Sequence, residues 1–243
     1  MIFGSLYTGF GGLDLGLERA GLSCGWQVEN NVYARRVLAR HWPDVPKHDD
    51  ARTFPPGEPE DWNVDLIAGG DPCQGNSQAG AIYRRVHEDL GVHFLRIVDA
   101  IRPRLVLREN PSATRKDALW PWGRFRDCLE SLGYAVLPFR LRSCCLGGDH
   151  RRERMFLLAS LPDPDGDGLE RFHRAWQQAG HAGGEAGGPL PGAGSRGHDL
   201  PAPRICRGSD GIPHRVERLR GLGNAVDPFS AERIGRVILE AAS

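Results

Sequence analysis

The sequence predicts an α/β fold, a mostly parallel sheet covered by helices on both faces, and three observations carry that prediction. Short apolar runs alternate with amphipathic stretches through the first 160 residues. A glycine-rich turn, Thr8-Gly9-Phe10-Gly11-Gly12, directly follows the first of those runs. Polar and nucleophilic residues gather just past the ends of the apolar runs, where such sheets bind their ligands.

Ile2 to Tyr7 reads as the first strand, followed by a helix from Leu13 to Ala20. Cys24 to Val28 is a second strand, and Val32 to His41 a second helix stopped by Pro43. Asp65 to Ala68 is short and apolar enough for a buried strand. From Leu90 to Ile101 the apolar residues fall at 90, 94, 97, 98 and 101, which is helical spacing. Pro103 ends that helix and Arg104 opens another strand. Trp122, Phe125, Leu129 and Leu132 mark one helix face, with Pro121 in its first turn and Gly133 just past its end. Tyr134 to Leu141 and Arg154 to Leu161 read as two closing strands. Few apolar residues then occur between Leu161 and Leu200, and residues 180–198 hold eight glycines, so a loop or poorly ordered insert is expected. Asp227 can cap a last helix, with Pro228 in its first turn and Ile234, Val237, Ile238 and Ala241 on its apolar face.

Composition excludes several classes of protein. With 243 residues, 40% hydrophobic and 26% charged, the chain can bury a substantial core and is not disordered throughout. It has no apolar run of the roughly 18–20 residues that a membrane span needs. Its first residues lack the plan of a signal peptide, so a cytoplasmic protein is expected, with no membrane partner. Thirty-one basic and 31 acidic side chains cancel, which removes any global electrostatic footprint for nucleic acid. Two local stripes remain. Residues 140–154 carry five arginines against Asp149 and Glu153, and residues 204–220 carry five against Asp210 and Glu217. No pair among the six cysteines has Cys-x-x-Cys spacing, so no metal is expected and the thiols read as free.

The glycine turn lets a backbone approach a ligand at a helix N-terminus. Asp14 stands where the dinucleotide fingerprint wants its third glycine, so a nucleoside cofactor suits the turn better than a pyrophosphate. Glu29 ends the second strand, 18 residues beyond Gly11, where an acid can take both ribose hydroxyls. Asp50 can receive an adenine amino group. The sharpest feature is Gly69-Gly70-Asp71-Pro72-Cys73-Gln74-Gly75, a cysteine displayed on a turn beyond a buried strand. Glu109, in Leu105-Val106-Leu107-Arg108-Glu109-Asn110-Pro111, is expected at the same sheet edge, within a substrate's width of Cys73. Its apolar flanks suit an acid that donates a proton at neutral pH.

On these residues the chain resembles the cytosine-5 DNA methyltransferases, most of all the compact versions carried by bacteriophages and prophages. Tyr7 to Gly12 matches the first cofactor motif, with Tyr7 where the family usually has Phe. Pro72-Cys73-Gln74 matches the catalytic Pro-Cys-Gln, and Glu109-Asn110 the Glu-Asn that grips the target base. His150-Arg151-Arg152-Glu153-Arg154 matches Gln-x-Arg-x-Arg, with His150 replacing Gln. Gly223-Asn224-Ala225-Val226 matches the late Gly-Asn-x-Val motif. Two departures stand in the cysteine turn: Asp71 replaces the usual Pro or Phe, and Gly75-Asn76-Ser77 replaces the usual continuation.

The resemblance implies a Rossmann-like fold for S-adenosyl-L-methionine, with the C-terminal helix returning to the cofactor domain. It implies a catalytic and cofactor-binding domain at 1–161, a Gly-rich insert at 162–203, and at 204–243 a reduced target-recognition segment with that helix. Catalysis would fall to Cys73, Glu109, Arg152 and Arg154. The cofactor would meet Tyr7, Gly9, Gly11, Gly12, Glu29, Asp50, Pro72, Asn224 and Val226. The flipped-out cytosine would meet Gln74, Ser77, Asn110 and His150. Double-stranded DNA is the implied partner, and a cognate restriction endonuclease is the associate that such enzymes raise. The alternatives are a non-catalytic DNA- or cofactor-binding relic and an RNA cytosine-5 methyltransferase.

Overall fold

The computed structural model describes residues 1–71, 90–111, 119–143, 153–162, 168–181, 221–222 and 225–243. The strands are β1 (Ile2–Leu6), β2 (Ser23–Val28), β3 (Lys47–His48), β4 (Leu66–Gly69), β5 (Leu105–Pro111), β6 (Ala135–Arg142) and β7 (Glu153–Ser160). They form one sheet in the order β3-β2-β1-β4-β5-β7-β6. β1 to β5 run parallel, and β7 runs antiparallel to both β5 and β6. The chain leaves β1 in one direction for β2 and β3, then crosses back to β4 on the other side. That reversal opens a crevice at the carboxyl end of β1, the position where this sheet class binds ligands.

Among the described residues, the helices over the sheet include α1 (Gly12–Ala20), α2 (Val32–His41), α3 (Gly91–Ile101), α4 (Leu119–Ser131), α5 (Gly168–His181) and α6 (Pro228–Ala242). The pleat sends alternate strand residues to opposite faces. Leu6, Ile67, Val106 and Leu157 meet Phe94, Ile97 and Val98 of α3 and Phe125 and Leu129 of α4. Phe3, Leu66, Leu107, Phe156 and Leu158 meet Leu13 and Leu17 of α1, Phe172 of α5, and Ile234, Val237 and Ile238 of α6. Two filled faces account for the nearly unbroken apolar reading of the central strands.

The C-terminal helix starts as its residues dictate. Asp227 accepts a hydrogen bond from the Phe229 amide, and Pro228 takes the first helical position. α6 then lies across α1 so closely that a Cβ on Gly16 would fall 2.4 Å from the Pro228 carbonyl oxygen, and just before the helix the Val226 carbonyl oxygen comes within 2.2 Å of a Cβ on Gly12. The last residues of the chain therefore complete the wall behind the first turn.

One expectation fails. The stretch after Pro162 reads as a loop, yet residues 168–181 form α5. Its apolar face is sparse (Leu169, Phe172, Ala175 and Trp176), so a count of apolar residues misses it while their helical spacing does not. Phe172 stacks on Trp176, and both lie against Phe139 of β6. Among the described residues no helix is long and apolar enough to cross a membrane.

Candidate active site

The chain reaches the carboxyl edge of β1 at Tyr7, whose backbone is left-handed (φ 55°). Gly9 and Gly11 are also left-handed (φ 59° and 78°), a shape that glycine adopts at no steric cost. Among the described residues a Cβ on Gly9 would find only the Tyr7 carbonyl oxygen, at 4.0 Å. The Gly9 amide donates to Glu29 Oε2 at 2.8 Å, and the Asn31 amide donates to Glu29 Oε1 at 2.7 Å. Glu29 thus joins the glycine turn to the start of α2, and each half-buried oxygen keeps a lone pair for a hydroxyl.

Asp50 stands two residues past β3. Its carboxylate is held by the Arg52 guanidinium at 2.7–3.0 Å and by the Arg52 amide at 2.9 Å. Those bonds push its pKa below the usual carboxylate range. Beneath the turn, Asp14 is fully buried and accepts hydrogen bonds from Ser5 Oγ and Gln27 Nε2, each at 2.7 Å. Desolvation raises its pKa to about 6, against the pull of those two donors.

On the other side of the crevice lie the ends of β4, β5 and β7. Gly69 pairs with Arg108 and Pro111 with Arg154, which fixes the register of the three strands here. Glu109 is 4% exposed, and its Oε1 lies 2.7 Å from Arg154 Nε. A Cβ on Gly70 would fall 2.7 Å from Glu109 Oε2, so the second glycine of the Gly-Gly pair makes room for this carboxylate. The apolar surroundings expected for Glu109 are therefore interrupted by a guanidinium. Asn110, 1% exposed, donates from Nδ2 to the Asp71 carbonyl oxygen at 3.2 Å.

Tyr7, Gly9, Gly11, Gly12, Glu29, Asp50, Glu109, Asn110, Arg154 and Val226 thus share one edge of the sheet. Pro72, Cys73, Gln74, Ser77, His150, Arg152 and Asn224 lie outside the described residues, as does the stripe at 204–220. Of the stripe at 140–154, Arg140 and Arg142 are exposed at the end of β6, and Arg142 pairs with Glu153 at 2.7 Å.

The sequence reading missed Arg108. It is 2% exposed, with Nε and Nη2 on the two Asp71 carboxylate oxygens at 2.6 and 2.7 Å. The Phe125 and Trp122 rings of α4 lie 3.9 and 4.8 Å from its guanidinium carbon. Opposite charges at the ends of two adjacent apolar strands were the available signal.

A model of the C-5 cytosine-specific DNA methylases matches residues 1–181. The Type II methyltransferase M2.BsuMI of Bacillus subtilis (strain 168) is 32% identical over 167 residues, which are 65% of this chain and 41% of that protein. M.NgoFVII of Neisseria gonorrhoeae is 34% identical over 162 residues, 63% of this chain and 42% of that protein. The chain thus spans about two-fifths of the length of these relatives. Among solved structures, a candidate DNA modification methyltransferase encoded within an Escherichia coli prophage superposes with a TM-score of 0.55 at 25% identity, over 66% of this chain and 47% of that one. The Entamoeba histolytica methyltransferase EhMeth covers 100% of this chain and 99% of its own, with a TM-score of 0.67; at 11% identity it shows the fold alone. Since the family model covers both the glycine turn and the Glu109–Arg154 edge, the chain belongs to the C-5 cytosine-specific DNA methylase family.

Proposed function

We propose that the chain is a DNA (cytosine-5-)-methyltransferase that takes its methyl group from S-adenosyl-L-methionine. The observation that carries this reading is the Glu109–Arg154 pair at the ends of β5 and β7, with Glu109 packed against Gly70, at the same sheet edge as the glycine turn and Glu29. The room that the described residues leave beside Gly9, and the acceptor capacity of Glu29 beyond its two backbone amides, suit a nucleoside with ribose hydroxyls. Asp50 would take the adenine amino group by sharing its carboxylate with Arg52. S-adenosyl-L-methionine supplies an electrophilic methyl group on a sulfonium.

Cytosine carbon 5 is a poor nucleophile until the ring is activated. The Cys73 thiolate would add to carbon 6, and the displaced electron pair would make carbon 5 enamine-like. Glu109 would protonate ring nitrogen 3 and accept from the exocyclic amine, offsetting the charge that addition creates. Arg154, with Arg152, would donate to the carbonyl oxygen at position 2. Once carbon 5 carries the methyl group, a base removes its proton, the carbon–sulfur bond breaks to regenerate the thiolate, and Glu109 takes back the proton from ring nitrogen 3. A base stacked in a duplex is out of reach of a buried carboxylate, so the cytosine would be flipped out, at a cost of about a few kcal/mol. Residues 1–161 would serve as the catalytic domain, and 204–243 as a reduced recognition segment followed by the returning helix.

A tritiated-methyl assay on unmethylated duplex DNA and on tRNA tests the reading. Label is expected in DNA at cytosine, and none for Cys73→Ser, which should still bind the cofactor. Undiminished transfer by Cys73→Ser would reject the thiolate route, and label in tRNA alone would reject the substrate.

A further inference from the structure

We propose that the Asp71–Arg108 pair and the Tyr7–Leu90 hydrogen bond are positioning devices that fix the two roots of the segment carrying Cys73. This inference rests on the methyltransferase reading above. Asp71 lies two residues past the end of β4 and two before Cys73, and Leu90 immediately precedes α3, so these two residues flank segment 72–89. At the first root Arg108 grips Asp71 through two hydrogen bonds, and Asn110 grips its carbonyl. At the second, the Tyr7 hydroxyl donates to the Leu90 carbonyl oxygen at 2.7 Å, the same oxygen that receives the Phe94 amide of α3. The family's usual Phe has no hydroxyl to make this bond, and its usual Pro or Phe in place of Asp71 has no carboxylate for Arg108.

Energetics favour a positional role for the ion pair. A buried pair of this kind seldom stabilises a fold more than apolar residues of the same volume. Here the cost is raised further, because Arg108 Nη1 is buried without a hydrogen-bond partner among the described residues. What the pair supplies is geometry. The planar fork on Asp71 fixes both distance and orientation, and the α4 rings keep the guanidinium from swinging. Arg108 adjoins Glu109, so the same side chain ties the segment leading to Cys73 to the strand bearing the carboxylate. Tyr7 belongs to the same cluster. Burial first, and then the Asp71 carboxylate, hold its phenol protonated, which keeps it a donor to Leu90.

Arg108→Lys keeps the charge and removes the fork, and the neutral double variant Asp71→Asn/Arg108→Gln guards against misfolding of the single one. Two measurements separate position from mere stability. Amide hydrogen exchange across 72–89 is expected to quicken in Arg108→Lys and Tyr7→Phe, while β1, β2 and α6 keep their protection. In steady-state methyl transfer, Arg108→Lys is expected to lower kcat about 10- to 100-fold, the usual effect of a small misplacement of reacting groups. Its KM for S-adenosyl-L-methionine is expected to stay within about twofold, because the pair lies apart from Glu29 and Asp50. Unchanged exchange in 72–89, or a kcat within about twofold of the parent, overturns the proposal. If the parent chain transfers no methyl group, the methyltransferase reading fails, and exchange alone then decides whether these contacts hold the roots.

Discussion

The two halves of the sheet's carboxyl edge treat their carboxylates differently. Beyond β1 and β2, Glu29 is half-buried and held by backbone amides. Beyond β4 and β5, Asp71 and Glu109 are 8% and 4% exposed, and each faces a guanidinium. An acid that accepts from amides at the surface keeps lone pairs for a ligand and exchanges them at little cost. A buried acid with a cationic partner cannot lose that partner without leaving a charge desolvated. The first half is suited to binding and release, the second to holding reacting groups in fixed places.

The largest effect expected from this contrast falls on the buried side. Glu109→Gln should lower methyl transfer by about 10²- to 10⁴-fold, the usual loss when a positioned proton donor is removed. Cofactor affinity measured by calorimetry should stay unchanged, and a fall in both would erase the distinction between the halves. Next, Arg108→Leu strands Asp71 and should reduce the unfolding free energy by about 3–5 kcal/mol in urea titrations. An unaltered midpoint would mean that water reaches this pair.

Glu29→Ala should be milder. It removes the partner of two amides and should weaken cofactor binding by about 1.5–3 kcal/mol, roughly 10- to 100-fold in Kd, with kcat at saturation retained. A collapse of kcat would make Glu29 part of the reaction side. The smallest effect concerns Asp14, which is fully buried on the binding side with no cation bonded to it among the described residues. Its folded pKa is raised from 3.8 to about 6, so its contribution to stability is fully present below pH 4 and is lost as pH rises through 6. Lowering the pH from 7 to 5 should therefore add about 1 kcal/mol to the unfolding free energy from this group. Asp14→Asn should lose that increment, and an unchanged pH slope would show that Asp14 stays ionised.

Much of this architecture is legible along the chain. Helix α2 is expected at Val32 to His41 and observed there, because Asn31 can cap it and Pro43 stops it close by. The start of α6 is likewise written locally, in Asp227 and Pro228. The glycine turn, Glu29 and the Glu109-Asn110 pair could be read because their spacing from the apolar runs fixes which sheet edge they reach. Helix α5 was obscured, since its four apolar contacts amount to a thin stripe in a glycine-rich neighbourhood that acquires meaning only against Phe139 and α6.

What the sequence determined alone is local in origin: periodicity, caps, turns, and the order in which chemical groups arrive at the ends of strands. Tertiary structure alone decided which charges neutralise one another. Arg108 is 37 residues from Asp71, and Arg154 is farther still from Glu109. They meet because parallel pairing of β4 with β5, and antiparallel pairing of β5 with β7, bring their strand ends side by side. Charge pairing depends on distance through space, which strand order sets and sequence separation does not.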